Sequence, residues 1–94
     1  KMKKTSFLIN TSRGKIVNEN DLIMYLEQNK IQGAGLDVFE KEPINKKNKL
    51  TKLENTVLAP HIGSSTDETR YEMTEIAIKN LILGLNDKKL VYSV

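Results

Sequence analysis

The sequence predicts a small α/β fold in which strands and helices alternate around a parallel sheet. Its 94 residues suffice for one small domain. Apolar segments and segments of helical periodicity follow one another in the order strand, helix, strand, loop, strand, helix. The first apolar segment is uninterrupted, which is typical of a strand covered on both faces within a parallel sheet. These two observations favour about three parallel strands followed by a long C-terminal helix.

Each predicted strand is marked by apolar residues and by the residues at its ends. In the first, FLI at residues 7–9 is contiguous and the turn-forming segment TSRG comes next. The second, GAGLDVF, has a glycine lead-in and is followed by a long polar loop. The third, NTVLAP, ends at Pro60 because proline cannot donate a hydrogen bond to a strand ladder. The three predicted strands lie near residues 6–11, 33–39 and 55–60.

The first helix is predicted near residues 19–29. Asn18 has the position of an N-cap, and the acidic Asp21 lies three residues later in the first turn. Val17 and Leu22 have the spacing of a hydrophobic staple around that cap. An apolar face follows at helical spacing, so this helix is amphipathic.

The second helix is predicted near residues 66–85. Ser65 and Glu68 have the spacing of a capping box at its start. Its apolar residues form a stripe that is wider than one neighbouring element would cover, which predicts a core or interface role. The stripe consists of Met73, Ile76, Ala77, Ile78, Leu81, Ile82, Leu83 and Leu85.

Composition and charge narrow the function classes. The net charge is +3, but the lysines are scattered and no aromatic residues are interleaved with them, so nucleic-acid binding is not favoured. The absence of cysteine excludes disulfides and thiolate metal sites and fits a reducing compartment. No apolar stretch approaches about 20 residues, and no signal-peptide pattern opens the chain. We therefore expect a cytoplasmic protein with no metal and no membrane partner.

The side chains best suited to chemistry lie just after the predicted strands. In open parallel sheets, ligands bind outside the carboxyl ends of the strands, so residues that come after each strand meet at one edge. Arg13 comes after the first strand, and His61, the only histidine, after the third. The carboxylates near the end of the second strand are Asp37, Glu40 and Glu42. This edge is the predicted site.

An arginine, a carboxylate and a histidine together suit the reduction of a 2-keto acid. Arginine binds a carboxylate through its planar fork of donors. Histidine exchanges protons near neutral pH, and an adjacent carboxylate favours its protonated form. A protonated imidazole can donate to a carbonyl oxygen that gains negative charge, which accelerates such a step roughly 10²- to 10⁴-fold. Taken singly, the same residues also fit a surface histidine at a strand end and a solvent-facing arginine.

Three consecutive segments resemble the D-2-hydroxyacid dehydrogenase family. They are FLINTSRGKIVNENDL, GAGLDVFEKEP and LENTVLAPHIGSSTDETR, and they occur in the order and at the spacing of the family. Within the family, the last two segments are most similar to glyoxylate/hydroxypyruvate reductases and then to phosphoglycerate dehydrogenases. The resemblance implies the C-terminal part of a Rossmann-like, doubly wound NAD(P)-binding domain, with residues 86–94 returning toward a substrate domain.

The resemblance also implies roles for individual residues. Arg13 would bind the carboxylate and carbonyl of the substrate. Glu42, in preference to Glu40, would pair with His61, which would act as acid in reduction and as base in oxidation. Asp37 would contact the nicotinamide end of NAD or NADP. The same cofactor pocket would be lined by Arg13 and His61 and by four further residues, Thr11, Ser12, Gly63 and Ser64.

One departure from the family pattern is large. The motif G-x-G-x-x-G, which holds the cofactor pyrophosphate at a helix N-terminus, is absent, and Gly33-Ala34-Gly35 comes before a strand and not after one. We therefore expect this chain to be a fragment of the enzyme that is inactive alone. An open strand edge and the wide helix stripe further predict a homo-oligomer, a dimer, in place of a stable monomer.

Two function classes stay open from the sequence. One is an oxidoreductase that interconverts a 2-keto acid, such as glyoxylate, hydroxypyruvate or phosphohydroxypyruvate, and a D-2-hydroxy acid. The other is a non-catalytic NAD-sensing or corepressor-like protein on the same scaffold. Arg13, Glu42 and His61 together favour the enzyme because a pure binder has no need of a proton donor. A fragment that folds without function is a third alternative.

Overall fold

The computed structural model describes residues 1–92 as two compact units. Unit 1 comprises Lys1–Gly63, and unit 2 begins at Ser64. The last two residues of the tail predicted over 86–94 lie outside the described part of the chain. None of the helices in residues 1–92 combines the length and the hydrophobicity that a membrane span requires.

Unit 1 is built on a three-stranded parallel sheet whose strands lie side by side in chain order, which confirms the predicted α/β class. The strands are β1 (Phe7–Asn10), β2 (Gly33–Leu36) and β3 (Thr56–Leu58). Each is shorter than its predicted range. β1 ends at Asn10 because the side chain of that residue bonds to the backbone of the next turn, to Ser12 N–H and the Arg13 carbonyl.

The helix α1 (Glu19–Glu27) packs on one face of this sheet. Asn18 caps it as predicted, since its side-chain oxygen accepts the Asp21 N–H at 3.1 Å. The helix ends earlier than predicted because Asn29 has a φ of 50°, the left-handed conformation that terminates helices. The core beneath it consists of Leu22, Ile23, Leu26, Ile31, Ala34, Leu36, Phe39 and Leu50.

The opposite face of the sheet is exposed. Successive strand side chains point to opposite faces, and Leu8, Ala34 and Leu36 lie on the side of the core. On the other side, Phe7 is 60%, Ile9 69% and Val57 75% exposed. The prediction that the first strand is covered on both faces is therefore wrong for the described chain, because α1 supplies cover on one side only.

Unit 2 is dominated by the helix α2 (Asp67–Leu85), none of whose residues is buried. Its N-cap is Thr66, whose hydroxyl oxygen accepts the Thr69 N–H at 3.1 Å. The predicted capping box of Ser65 and Glu68 is thus wrong by one residue, because the extended backbone at Thr66 brings that hydroxyl to the helix. The apolar stripe lies open in the described structure.

Candidate active site

The carboxyl edge of the sheet in unit 1 forms an open cleft of about 610 Å³. It gathers Arg13, Glu42 and His61, which come after β1, β2 and β3 respectively. A smaller pocket of about 250 Å³ shares Glu42 and His61 with the cleft and adds apolar walls from Pro43, Ile44 and Pro60. The cleft itself is lined by Arg13, Gly14, Lys15, Phe39, Glu40, Glu42 and His61.

His61 and Glu42 form a direct pair. The Nδ1 atom of His61 lies 2.7 Å from Oε2 of Glu42, and both side chains remain partly open to solvent. An ionised carboxylate only accepts hydrogen bonds, so Nδ1 carries the proton of this bond. Nε2 is then the ring nitrogen available to exchange a proton with a ligand in the cleft.

Glu42 is held in place by two donors. His61 donates to Oε2, and the Phe39 N–H donates to Oε1 at 3.1 Å. The bond from His61, followed by that from Phe39, lowers the pKa of Glu42 below its ordinary value of 4.5. Glu40, the alternative that the spacing left open, also lines the cleft, but its carboxylate accepts the Glu19 N–H. The structure therefore pairs His61 with Glu42.

The backbone at His61 adopts a conformation that non-glycine residues rarely occupy, with a φ of 57°. The nearly buried Asp37 fixes the two residues that follow His61. Its Oδ1 accepts the Ile62 N–H at 2.8 Å, and its Oδ2 accepts the Gly63 N–H at 2.7 Å. Strained backbone of this kind persists only where surrounding contacts hold it in place, and it is concentrated at functional sites.

These contacts explain the ionisation of Asp37 and the need for glycine beside it. The Ile62 N–H lowers the pKa of Asp37 below its ordinary 3.8, burial opposes this, and the Gly63 N–H lowers it further. A Cβ at Gly63 would come within 2.9 Å of Asp37 Oδ2. Both oxygens of Asp37 thus have backbone partners in the loop that carries His61. The contact of Asp37 with a nicotinamide stays a prediction.

Arg13 is presented to the cleft by a shaped turn. Asn10 is buried and donates to the Arg13 carbonyl at 3.0 Å, while its Oδ1 accepts the Ser12 N–H at 3.1 Å. The guanidinium is exposed and donates to the Ser12 carbonyl at 2.7 Å. In residues 1–92 it forms no ion pair with a carboxylate, which leaves its charge available to an anionic ligand.

The other predicted site residues lie at or near the same edge. Thr11 and Ser12 are exposed on the turn after β1, and Gly63 contributes its backbone N–H to Asp37. Ser64 is exposed and opens unit 2, so the structure does not assign it to the cleft. The roles of these four residues toward a cofactor stay predictions, since none of these contacts involves one.

Sequence reasoning missed several residues that shape the cleft. Asn10 had a detectable signal, because asparagine after an apolar run and before TSRG is typical of a side chain that bonds to a turn. Gly14 is buried, and a Cβ there would overlap the carbonyl group of Phe39. Phe39 is 5% exposed and anchors the Glu42 segment in the core. These two non-local contacts left no local sequence signal.

Comparison with curated proteins indicates a single family. Residues 1–63 match the family model described as D-isomer specific 2-hydroxyacid dehydrogenase, NAD binding domain. Over 86 residues, the chain is 58% identical to a probable 2-ketogluconate reductase of Dictyostelium discoideum and 52% identical to glyoxylate/hydroxypyruvate reductase B of Cronobacter sakazakii. Each match covers 92% of this chain and 26% of the relative. The chain thus spans about a quarter of the length of these relatives.

Solved structures give the same result. A glyoxylate reductase from Paecilomyes thermophila matches with a TM-score of 0.87 at 35% identity, over 99% of this chain and 28% of that one. An NADPH-dependent glyoxylate/hydroxypyruvate reductase from Sinorhizobium meliloti, crystallised with NADP and malonate, matches with a TM-score of 0.85 at 35% identity. That match covers 98% of this chain and 28% of the other. These likenesses confirm the predicted Rossmann-like fold class.

Proposed function

Because the chain belongs to the D-isomer specific 2-hydroxyacid dehydrogenase family, we propose that it supplies the substrate-anchoring and proton-donating residues of an NAD(P)-dependent site. The reaction is the interconversion of a 2-keto acid and a D-2-hydroxy acid. The observation that carries this proposal is the His61–Glu42 pair, 2.7 Å apart, in the same cleft as Arg13. Glyoxylate and hydroxypyruvate are the first substrates to test, since several reductases similar to this chain are named for them.

Arg13 anchors the substrate in this scheme. Its exposed guanidinium matches the two oxygens of a carboxylate, and it has no carboxylate partner within residues 1–92. Binding the carboxylate next to His61 places the neighbouring carbonyl oxygen toward the imidazole. Arg13 therefore contributes to both the affinity and the orientation of the 2-keto acid.

His61 supplies the proton. NAD(P)H, when bound, supplies the hydride that adds to the carbonyl carbon. As negative charge develops on the carbonyl oxygen, Nε2 of His61 donates its proton there, which gives a hydroxyl group and a neutral imidazole. Glu42 stabilises the imidazolium before transfer and keeps Nδ1 protonated, so the proton that leaves is the one on Nε2. In the oxidation direction, neutral His61 accepts the hydroxyl proton.

The residues of the cleft fit the nicotinamide end of the cofactor, since ligands of such folds bind beyond the carboxyl ends of the strands. Thr11 and Ser12 lie exposed at this edge, and the Asp37 carboxylate fixes the loop on its far side. The sequence has no G-x-G-x-x-G motif for the pyrophosphate. We therefore expect no oxidation of NADH or NADPH by this chain alone with glyoxylate or hydroxypyruvate.

A chimera tests the proposal. The segment of Cronobacter sakazakii glyoxylate/hydroxypyruvate reductase B that aligns with this chain, 52% identical, is replaced by this chain. We expect NADPH-dependent reduction of glyoxylate. Arg13→Lys should raise KM more than it lowers kcat because a lysine lacks the bidentate fork, whereas Glu42→Gln should lower kcat.

Two results would overturn the assignment. One is a folded chimera that binds NADPH and reduces glyoxylate with unchanged constants in both variants, because the cleft would then not be the reacting site. The other is a folded chimera that binds NADPH without any turnover, which would favour the non-catalytic, NAD-sensing alternative. Glu54→Ala, at an exposed glutamate outside the cleft, is the matched control and should leave both constants unchanged.

A further inference from the structure

We propose that Glu19 and Glu40 act as positioning residues that hold Glu42 against His61. This inference rests on the proposed function of the His61–Glu42 pair and adds two residues to it. The hydrogen-bond partner of the His61 ring is Glu42, not Glu19 or Glu40. Each one instead accepts the backbone N–H of the other, and together they join the start of α1 to the segment that carries Glu42. We call this pair of reciprocal bonds the Glu19–Glu40 clamp.

The clamp is reinforced by a third hydrogen bond. Oε1 of Glu40 accepts the Glu19 N–H at 3.0 Å, and Oε1 of Glu19 accepts the Glu40 N–H at 2.6 Å. The second oxygen of Glu19 accepts a bond from Nδ2 of Asn48 at 3.1 Å. The two glutamates lie 21 positions apart in the chain, so these bonds fix tertiary structure. Bonds from N–H groups to carboxylates belong to the stronger class of protein hydrogen bonds.

The helix end of the clamp is rigid. Glu19 is the first residue of α1, where backbone N–H groups have no partner within the helix. The side chain of Asn18 accepts the Asp21 N–H, and that of Glu40 accepts the Glu19 N–H. The positive end of the helix dipole also favours a carboxylate there. Leu22 and Leu26 bury α1 in the core, so the clamp ties Glu40 to a fixed element.

The other end of the clamp leads directly to the site. Glu40 comes after Phe39, whose own N–H donates to Oε1 of Glu42. The aromatic ring of Phe39 is buried, and Gly14 packs against its backbone so closely that a Cβ would not fit. With Glu40 fixed, the segment from Phe39 to Glu42 is held at both its start and its middle. Oε2 of Glu42 is thereby directed at His61.

Charge alone does not account for this arrangement. Glu40 and Glu42 line the same cleft and carry like charges, so a role of Glu40 through charge alone would disfavour ionisation of Glu42. Arg13 and Lys15 line that cleft as well, and the charge of Arg13 helps to lower the pKa of Glu42. The clamp and simple electrostatics therefore predict opposite changes in the pKa of Glu42 when Glu19 or Glu40 is replaced by alanine.

The pKa of Glu42 reports on the clamp. Carboxyl-carbon NMR titration of the full chain measures it in the native protein and in Glu40→Ala, Glu19→Ala, Glu40→Gln and Glu19→Gln. The alanine variants remove the hydrogen-bond acceptor, and we expect the pKa of Glu42 to rise toward the ordinary 4.5 as its bond to His61 loosens. The glutamine variants remove the same charge but keep an acceptor oxygen, so the pKa of Glu42 should stay at or below its native value.

Amide hydrogen exchange gives a second, local measurement. In Glu40→Ala the Glu19 N–H loses its partner, and its exchange should accelerate about tenfold, or about 1.4 kcal/mol, the order of one such bond. Glu40→Gln should restore protection. Glu54→Ala replaces an exposed glutamate of the same unit and should change neither the Glu42 pKa nor the exchange of the Glu19 amide.

Three outcomes would overturn the clamp. A Glu42 pKa that falls in the alanine variants would mean that Glu40 and Glu19 act by charge alone. A pKa that rises equally in alanine and glutamine variants would mean that the acceptor oxygen is irrelevant. An unchanged Glu19 amide in Glu40→Ala would mean that the reciprocal bond does not exist in solution. All these measurements are independent of turnover, so a chain that passes them while the chimera is inactive would retain the clamp and lose only the proposed function.

Discussion

Replacing Phe39 by alanine is expected to destabilise unit 1 severely, because this side chain is 5% exposed and belongs to the core. Truncating a buried phenylalanine costs about 3–5 kcal/mol. Unit 1 has the 63 residues Lys1–Gly63, and at roughly 0.05–0.15 kcal/mol per residue its stability is about 3–9 kcal/mol. The substitution therefore removes between about a third and all of the stability of the unit, along with the anchor of the Glu42 segment.

Phe7, the only other phenylalanine, provides the matched control. It is 60% exposed, so about two fifths of its surface is buried. Full burial of such a side chain contributes about 1.5–3 kcal/mol, and we expect Phe7→Ala to cost about 1 kcal/mol. Urea unfolding followed by far-UV circular dichroism measures both free energies. Phe39→Leu, which leaves a smaller void, gives a folded reference if Phe39→Ala does not fold.

Equal losses in Phe7→Ala and Phe39→Ala would refute this reasoning. They would show that the sheet face bearing Phe7, Ile9 and Val57 is covered in solution. Raising the chain concentration would then identify the cover, since self-association makes the midpoint of unfolding depend on concentration. The homo-oligomer that the sequence predicts would be the explanation, and the open sheet face would be its interface.

The remaining predictions concern one carboxylate and one helix cap. The Ile62 N–H lowers the pKa of Asp37 in the folded chain. The stability that Asp37 contributes is therefore complete above pH 3.8, its ordinary pKa, and is lost as the pH falls through its lower native pKa. Urea unfolding should therefore show Asp37→Asn less stable than the native chain at neutral pH and nearly equal to it at about pH 2; a constant difference would contradict this. Thr66→Ala should destabilise α2 by about 1 kcal/mol and lower its helicity measured by circular dichroism, whereas Ser65→Ala should leave that helicity unchanged. A loss of helicity in Ser65→Ala and not in Thr66→Ala would instead support the capping box of Ser65 and Glu68.

The parts of the fold that local chemistry decides were predictable. Asn18 and Asp21 define a cap within four residues, and the structure contains that cap. The cap of α2 was predicted wrongly, because Glu68 lies three residues after Ser65 as in a capping box, whereas Thr69 occupies that place relative to Thr66. Only the backbone path through Thr66 decides between them, and that path is not encoded by spacing.

The burial of β1 was not predictable from its three contiguous apolar residues. Such a segment specifies that both faces are apolar but not which elements cover them. In the described chain, α1 covers the face of Leu8, and Phe7 and Ile9 stay open.

The candidate site was predictable as a set of residue types at one edge, and its geometry was not. Parallel topology brings Arg13, Glu42 and His61 together, since they come after three neighbouring strands. The contacts that fix them involve residues far apart in sequence, such as Asp37 with Gly63. No periodicity reports a contact of this kind.

Replacement of His61 by asparagine in the chimera tests the central claim most directly. The claim is that this imidazole donates the proton to the carbonyl oxygen of a 2-keto acid. Asparagine has a similar size but does not titrate, so kcat for glyoxylate should fall roughly 10²- to 10⁴-fold while NADPH binding is preserved. A His61→Asn chimera that binds NADPH and retains the kcat of its parent would contradict the claim.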